Sequence, residues 1–386
     1  MIRVLGKGKT AQAIKDSFDD VILYDDSDFK NYDLESNDIT VVSPGIPPFN
    51  EMVKKAKNIQ SDYDLYANEM PFSIWVSGTN GKTTTVQMIQ HLLEEKKSVC
   101  GGNIGIPISL MDKKAPIWIL ETSSFTFHYT NKAKPNLYIL LPISEDHISW
   151  HGSYEEYKKA KLKPLDVMTE GEIAIIPEEF KDYETNAYKI TYKSSDDLCK
   201  FFDIKKEEIK FKEPFLLDSL LALASKKIIF DEVDYQKINT FTIDEHKIEE
   251  FKDRNNRLWI NDSKATNVDA TINALNPYSP KKIYLILGGD DKGVNLEPLF
   301  IYIKDLNIEV FAIGSNIERI NSYCEKFNIK FNKSNILKNA VEEIAIKHDK
   351  NSLAILSPAA SSLDQYSSYI ARGKEFKELV YGLSLN

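Results

Sequence analysis

Phe72-Ser73-Ile74-Trp75-Val76-Ser77-Gly78-Thr79-Asn80-Gly81-Lys82-Thr83 is the stretch that decides how this chain folds. Residues 72–76 form a short apolar run with the character of a buried strand. Thr84 to Glu95 follows, with Val86, Ile89 and Leu93 on one helical face. A strand, a glycine turn and a helix that opens on Lys-Thr together make a phosphate cradle. Backbone N–H groups and the helix N-terminus face the anion, Lys82 adds a charge, and the Thr83 hydroxyl can reach Mg²⁺. Gly78, Thr79, Asn80, Gly81, Lys82, Thr83 and Thr84 are therefore the candidate ATP contacts. The common spacing of such loops asks for glycine at position 76, where Val76 stands. A glycine turn that binds nothing has no need of Gly-Lys-Thr at the mouth of a helix, so a nucleoside triphosphate is the expected ligand.

At 386 residues the chain is long for one hydrophobic core and is expected to form more than one domain. A hydrophobic fraction of 42% with 28% charged residues is ordinary for a soluble globular protein. The net charge of −9 argues against a nucleic-acid backbone as partner, which would call for clustered Lys and Arg. The pairs Lys158-Lys159 and Lys226-Lys227 are expected on solvated helix faces. Cys100, Cys199 and Cys324 show no paired spacing, so reduced thiols fit better than a disulfide frame or a zinc site. No apolar run approaches the ~18 residues needed to span a bilayer, and no signal-peptide pattern precedes Ile2-Arg3-Val4-Leu5. A cytoplasmic protein, monomeric and with no membrane span, is expected.

Outward from the loop, the chain reads as three α/β segments. Residues 1–70 open with a strand at Ile2–Leu5, then Gly6-Lys7-Gly8-Lys9-Thr10. Further strands end at Asp25-Asp26 and at Ser43-Pro44-Gly45. A glycine turn followed by an acid about 20 residues later is the layout of a Rossmann-like half-domain, here too short for a whole dinucleotide. On its own a Gly-x-Gly is as readily a tight turn. Residues 71–240 carry the phosphate loop within alternating helices and strands, as a mostly parallel sheet requires. Strands at 117–120 and 137–143 belong to it, and the pattern fades between 180 and 212. Residues 241–386 restart a Rossmann-like alternation, with strands at 257–261, 283–287, 309–313 and 353–356.

Glu121 follows the strand at 117–120, at the carboxyl edge where open α/β sheets place their ligands. His147 follows the next strand at a similar edge. A carboxylate suits Mg²⁺, whereas imidazole is an unusual ligand for it, and on spacing alone His147 is equally well a hydrogen-bonded rim residue. Ser153-Tyr154-Glu155-Glu156 is a capping box for a helix carrying Lys158, Lys159 and Lys161, which Pro164 is expected to kink or end. Spacing alone gives none of these lysines a role.

The ordered motifs Gly-Thr-Asn-Gly-Lys-Thr, Gly102-Asn103-Ile104-Gly105, Glu121-Thr122-Ser123-Ser124-Phe125, Glu145-Asp146-His147 and Ala160-Lys161-Leu162 resemble the Mur ligases of peptidoglycan synthesis. Asn261 to Asn267, Gly288 to Lys292 and Ser357 to Tyr366 look like the D-glutamate-adding branch of that family. The resemblance runs over roughly residues 1 to 380. It implies ATP-dependent activation of a substrate carboxylate as an acyl phosphate, followed by attack of an amine. The implied partners are UDP-N-acetylmuramoyl-L-alanine, D-glutamate and ATP. Two Mg²⁺ ions are implied, with Thr83, Glu121, His147 and a carbamylated Lys161 as ligands and Lys82 beside the transferred phosphate.

By the same resemblance Gly8, Lys9 and Thr10 meet the diphosphate and Asp25 the uracil. Ser43, Pro44 and Gly45 line that cleft, and Asn103 contacts the sugar-peptide part. Lys264, Thr266, Lys292, Ser362, Leu363 and Tyr369 are implied at the amino acid, and Asp262 and Lys247 at ATP. The chain departs from the family in several places. The usual His-Asn-x-x-Asn reads Pro214-Phe215-Leu216-Leu217-Asp218, leaving adenine to Asp218 or to backbone. The usual His-Arg pair is His246-Lys247, which lacks a bidentate fork. Thr126 replaces a Gln, and Tyr369 a Phe.

Two rival readings remain. One is a related ligase that adds another amino acid or extends a folate with glutamate. The compact first segment and the Ser357-to-Gln365 run favour D-glutamate. The other is a nucleotide-binding switch without ligase chemistry, for which a second-metal site would be superfluous.

Overall fold

The computed structural model describes residues 1–33 and 35–384. Three parallel-rich sheets follow one another along the chain. The first holds β1 (Ile2–Leu5), β2 (Val21–Tyr24), β3 (Ile39–Val42) and β4 (Ile59–Gln60) in the order β2-β1-β3-β4. The second holds β5 (Phe72–Ser77), β6 (Ser98–Gly102), β7 (Ile117–Glu121), β8 (Leu137–Leu140), β9 (Ile173–Pro177) and β10 (Tyr188–Tyr192) in the order β10-β9-β8-β5-β7-β6, with every pair parallel. In the third, β11 (Glu249–Lys252), β12 (Leu258–Asn261), β13 (Lys282–Leu287), β14 (Ile308–Ile313), β15 (Lys330–Asn335) and β16 (Ser352–Leu356) run in the order β11-β12-β16-β13-β14-β15. Only edge strand β11 is antiparallel there.

Two compact units result, residues 1–241 and 242–386. Central strands such as β5, β8 and β13 are buried on both faces and read as continuous apolar runs. The core of the second sheet is aromatic: Trp75 stacks on Phe127 at 5.9 Å and meets Tyr63 edge-on at 5.0 Å. In the third sheet Leu285, Val310 and Ile355 are buried on the face covered by the helices at Val268–Leu275 and Glu297–Ile303. Among the described residues no helix is long and apolar enough to cross a membrane.

Strand order places the phosphate loop. The chain leaves β5, goes out to β6, returns to β7 beside β5, and then passes to β8 on the other flank. The order reverses at β5, which opens a crevice at the carboxyl end of that strand. Gly78 stands there with φ 135°, and a side chain on it would meet Leu141 Cβ at 2.5 Å. The position therefore excludes any residue but glycine.

Of the two outcomes expected at Pro164, the end of the helix is not found, and the expectation for Lys226 fails. The helix at Tyr154–Val167 runs through Pro164 instead of stopping there. Only its last turn lacks the hydrogen bond that proline cannot donate, and Leu162, Pro164 and Leu165 are all buried. Lys226 is buried and not on a solvated face: Asp234, Glu95 and Glu232 surround its ammonium at 3.2 to 3.5 Å. Three carboxylates compensate one buried cation, which a run of lysines in sequence does not reveal.

Candidate active site

The turn after β5 projects its backbone into the crevice, and the helix Lys82–Leu93 begins immediately behind it. Gly81 is its left-handed N-cap, with φ 86° and no capping side chain, so the first N–H groups stay available to an anion. The Lys82 ammonium bridges back to the carbonyls of Gly78 at 2.9 Å and Thr79 at 2.7 Å. The Thr79 hydroxyl donates to the Ser144 carbonyl at 3.0 Å and accepts the Ser144 N–H at 2.9 Å. It also lies 3.1 Å from the Tyr157 hydroxyl.

Glu121 ends β7, the strand paired with β5, and is buried. Thr83 donates to its Oε2 at 2.7 Å, and Asn103, just beyond β6, donates to its Oε1 at 2.8 Å. One hydroxyl and one carboxylate thus converge at the helix N-terminus, the oxygen-donor type that Mg²⁺ accepts. Among the described residues no three His, Cys, Asp or Glu side chains form a cage. An ion here would complete its shell with phosphate oxygens and water, the usual arrangement for Mg²⁺.

Lys161, 1% exposed, donates to the Gly78 carbonyl at 2.7 Å and to Ser77 Oγ at 3.3 Å. Burial, and then the charge of Lys82, push it well below the ordinary lysine range, while Asp146 and Glu121 pull the other way. A buried amine held toward its neutral form meets the chemical requirement for adding CO₂. His147 sits at the rim in a left-handed conformation with φ 54°. Its ring lies 4.7 Å from Phe125 and 6.1 Å from Tyr157, and its Nε2 is 3.7 Å from Asp146. Asp218 is buried below the loop, accepts from Thr85 at 2.9 Å, and would touch a side chain on Gly81 at 2.6 Å.

The first sheet gathers its candidates on one rim. Gly8 is the N-cap of the helix Lys9–Ser17 and has open space where a Cβ would be. Asp25 follows β2 and pairs with Lys7 at 2.8 Å, and that hydrogen bond holds its carboxyl well below the usual range. Ser43 follows β3, with Pro44 and Gly45 after it. Its hydroxyl is buried and has no hydrogen-bond partner among the described residues. An orphaned hydroxyl against the Gly6 turn that leads into this helix is what a polar ligand would complete.

The third sheet does the same at the carboxyl ends of β12, β13 and β16. Asp262 is buried, accepts from Ser357 at 2.7 Å and from the Ile248 N–H at 3.2 Å, and burial pushes its carboxyl up to about 7. Lys264 and Thr266 are exposed on the following turn, and the Lys264 ammonium stands 4.2 Å over the Tyr369 ring. Lys247 pairs with Asp244 at 2.9 Å. Lys292 is exposed with φ 51°, and Ser362 is buried next to the exposed Leu363.

Residues 76–252 match the Mur ligase middle domain. A Campylobacter jejuni UDP-N-acetylmuramoylalanine--D-glutamate ligase is 48% identical, over 98% of this chain and 99% of its own length. The Helicobacter pylori enzyme of the same name is 42% identical over the same shares. The chain belongs to the Mur ligase family. Among solved structures, the MurF ligase of Thermotoga maritima in complex with ADP superposes with a TM-score of 0.60 at 15% identity, over 98% of this chain and 94% of that one. Escherichia coli FolC in complex with DHPP and ADP gives 0.58 at 12% identity, over 87% and 99%. At those identities the likeness is one of fold.

Within this Mur ligase the structure adds contacts that sequence reasoning did not give. Tyr157, Asn103 as a partner of Glu121, Lys7 as a partner of Asp25, and Arg372 all depend on contacts between distant segments. Arg372, 1% exposed, donates to Ser263 Oγ at 3.0 Å and to the carbonyls of Ser263 at 2.9 Å and Ala360 at 3.2 Å. It thereby ties the turn after β12 to the one after β16. Burial lowers its guanidinium to about 10. The proximity of Asp146 to His147 in sequence was a usable signal; nothing local singles out Arg372.

Proposed function

We propose that this chain is the ATP-dependent ligase that joins D-glutamate to UDP-N-acetylmuramoyl-L-alanine in the cytoplasm, acting as a monomer and releasing ADP and phosphate. The observation that carries the reading is near-full-length identity of 48% to a ligase of that name. It is joined by a phosphate loop whose helix N-terminus, Thr83 and Glu121 converge at one sheet edge. The division of labour follows the three sheets: residues 1–70 for the UDP substrate, 71–240 for ATP and 241–386 for the amino acid.

The chemistry has two steps. An oxygen of the substrate carboxylate attacks the γ-phosphorus of ATP, the bond to the β-phosphate oxygen breaks, and ADP departs, leaving an acyl phosphate. The unprotonated amine of D-glutamate then attacks the acyl carbon, the acyl–oxygen bond to phosphate breaks, and the departing phosphate takes the proton the nitrogen gives up as the amide forms. Phosphoryl transfer needs alignment and charge neutralisation more than covalent help. Lys82 and the backbone N–H groups behind Gly81 orient the β- and γ-phosphates. Mg²⁺, when bound at Thr83 and Glu121, would screen charge between phosphate oxygens. His147 and Lys161 are assigned to a second ion. Lys161 takes that role as a carbamate, because an uncharged amine can add CO₂ with loss of one proton and become an anion.

Lys292, Lys264 and the Ser362-Leu363 backbone supply cations and donors for the two carboxylates of D-glutamate, with Thr266 and Tyr369 alongside. Asp262 and Lys247 are assigned to ATP, and Asp218 to the adenine side. Purified protein with UDP-N-acetylmuramoyl-L-alanine, ATP and single amino acids tests the reading. Phosphate release that depends on D-glutamate is expected. Release with L-lysine or with a folate acceptor instead would move the chain to another branch.

A further inference from the structure

Tyr157 lies one turn before Lys161 on the helix Tyr154–Val167 and is 1% exposed. Its hydroxyl is 3.1 Å from Thr79 Oγ1 in the phosphate loop. Thr79 in turn holds both the N–H and the carbonyl of Ser144, the first residue of the loop that leads to His147. The Tyr157 ring carries the Lys161 ammonium 4.8 Å from its centroid. It also packs on His151 at 5.4 Å, with His147 at 6.1 Å. A buried phenol hydroxyl normally keeps a partner, and this one has chosen a side chain of the phosphate loop.

We propose that Tyr157 is a positioning residue for the ligase reaction. Its hydroxyl fixes the phosphate loop against the Ser144–His147 loop, and its ring fixes Lys161, so that three segments of different sequence origin hold one register. The inference rests on the proposed ligase reading for its kinetic arm, but its binding arm needs only the phosphate loop. One side chain meets the phosphate loop, the histidines after Ser144 and Lys161, through a hydrogen bond, ring packing and the Lys161 side chain lying against the ring face.

The test is a double-mutant cycle on ADP affinity in the presence of Mg²⁺, measured by calorimetry on the full chain with Tyr157→Phe, Thr79→Val and the double variant. Each single change is expected to weaken ADP by about 3- to 10-fold, the worth of one hydrogen bond. The double should be no weaker than the worse single. Tyr157→Phe made in a Thr79→Ser background, which keeps the hydroxyl, should weaken ADP by the same factor as Tyr157→Phe alone, which covers the case in which Thr79→Val fails to fold. Unchanged ADP affinity in Tyr157→Phe, or effects that multiply, would overturn the hydroxyl's role. Tyr157→Leu should match Tyr157→Phe in ADP affinity and in the KM for ATP yet show a lower kcat. Equal kcat in the two would overturn the ring's role. If wild type binds ADP but releases no phosphate with any amino acid, the ligase reading fails while the cycle still decides the hydroxyl's role.

Discussion

The ammonium of Lys161 lies 2.7 Å from the carbonyl of Gly78, so a buried lysine rests on the backbone of the phosphate loop itself. The same carbonyl also accepts from Lys82 at 2.9 Å. Two lysine side chains therefore share one oxygen, and burial of the deeper one is the larger influence on its protonation.

Lys161→Ala is expected to abolish ligation, and short carboxylates such as formate or acetate should restore part of it by entering the space the side chain leaves. Full activity in the alanine variant would remove the carbamate assignment. Lys161→Met should be equally inactive but melt at a higher temperature than wild type. It removes a poorly solvated amine, while the Gly78 carbonyl keeps Lys82 as donor. A gain of about 1 kcal/mol corresponds to roughly 2 to 4 °C for a unit of this size, which differential scanning calorimetry resolves.

Glu121→Ala and Lys82→Ala should each lower turnover by about 10² to 10³-fold, the scale for losing one preorganised electrostatic group. Both should leave affinity for the UDP substrate nearly unchanged. Asn103→Ala, which takes one hydrogen bond from Glu121, should cost about tenfold or less. Titration of the UDP substrate alone distinguishes the cases: a large loss of its affinity in either Glu121→Ala or Lys82→Ala would contradict the division of labour.

The stability contributed by Asp62 and Asp262 should fall as pH rises from about 4 to 7, while His151 and His348, held by burial to about 3 and about 4, contribute in the opposite direction. Burial holds the carboxyls of Asp62 and Asp262 up to about 7 in the folded chain, whereas an unfolded Asp titrates near ~3.9. Between those values the folded state binds more protons than the unfolded one, so raising pH favours unfolding. Asp62 Oδ1 has no hydrogen-bond partner among the described residues, which leaves its anion especially poorly compensated. Replacing both by Asn should raise the melting temperature at pH 8 relative to that at pH 5, compared with wild type. A melting temperature that drops further from pH 5 to pH 8 in the double variant than in wild type would contradict the assignment.

Lys292→Ala should raise the KM for D-glutamate by about tenfold or more, the value of one charged hydrogen bond, with the KM for ATP nearly fixed. The opposite pattern would mean that the turn after β13 serves the nucleotide. The side chain is exposed in its own unit, so the effect should be sensitive to salt.

The phosphate loop and the alternation of strands and helices were legible because both are local. A glycine that must take φ 135° and a doubly buried strand leave their mark within ten residues. The burial of Lys161 was not legible from spacing, since Lys158 and Lys159 carry the same charge and only the phase of the helix against the sheet separates them. Only the family resemblance singled Lys161 out. The stretch from 180 to 212 read weakly because β10 is an edge strand whose side chains are only partly covered. Asn103 on Glu121 and Arg372 on Ser263 bridge residues far apart in sequence, so no window of the chain contains both halves.

All six strands of the second sheet are parallel, so every connection must travel back along a face, and the two ends of the sheet differ in character. The carboxyl rim carries the loop, Glu121 and the turn to His147. The amino rim carries short polar turns, at Lys97 ahead of β6 and at Gly171 ahead of β9. That rim is the natural place for a handle. A fluorophore or a surface-immobilisation tag attached there would stand at the end of the sheet opposite the phosphate loop.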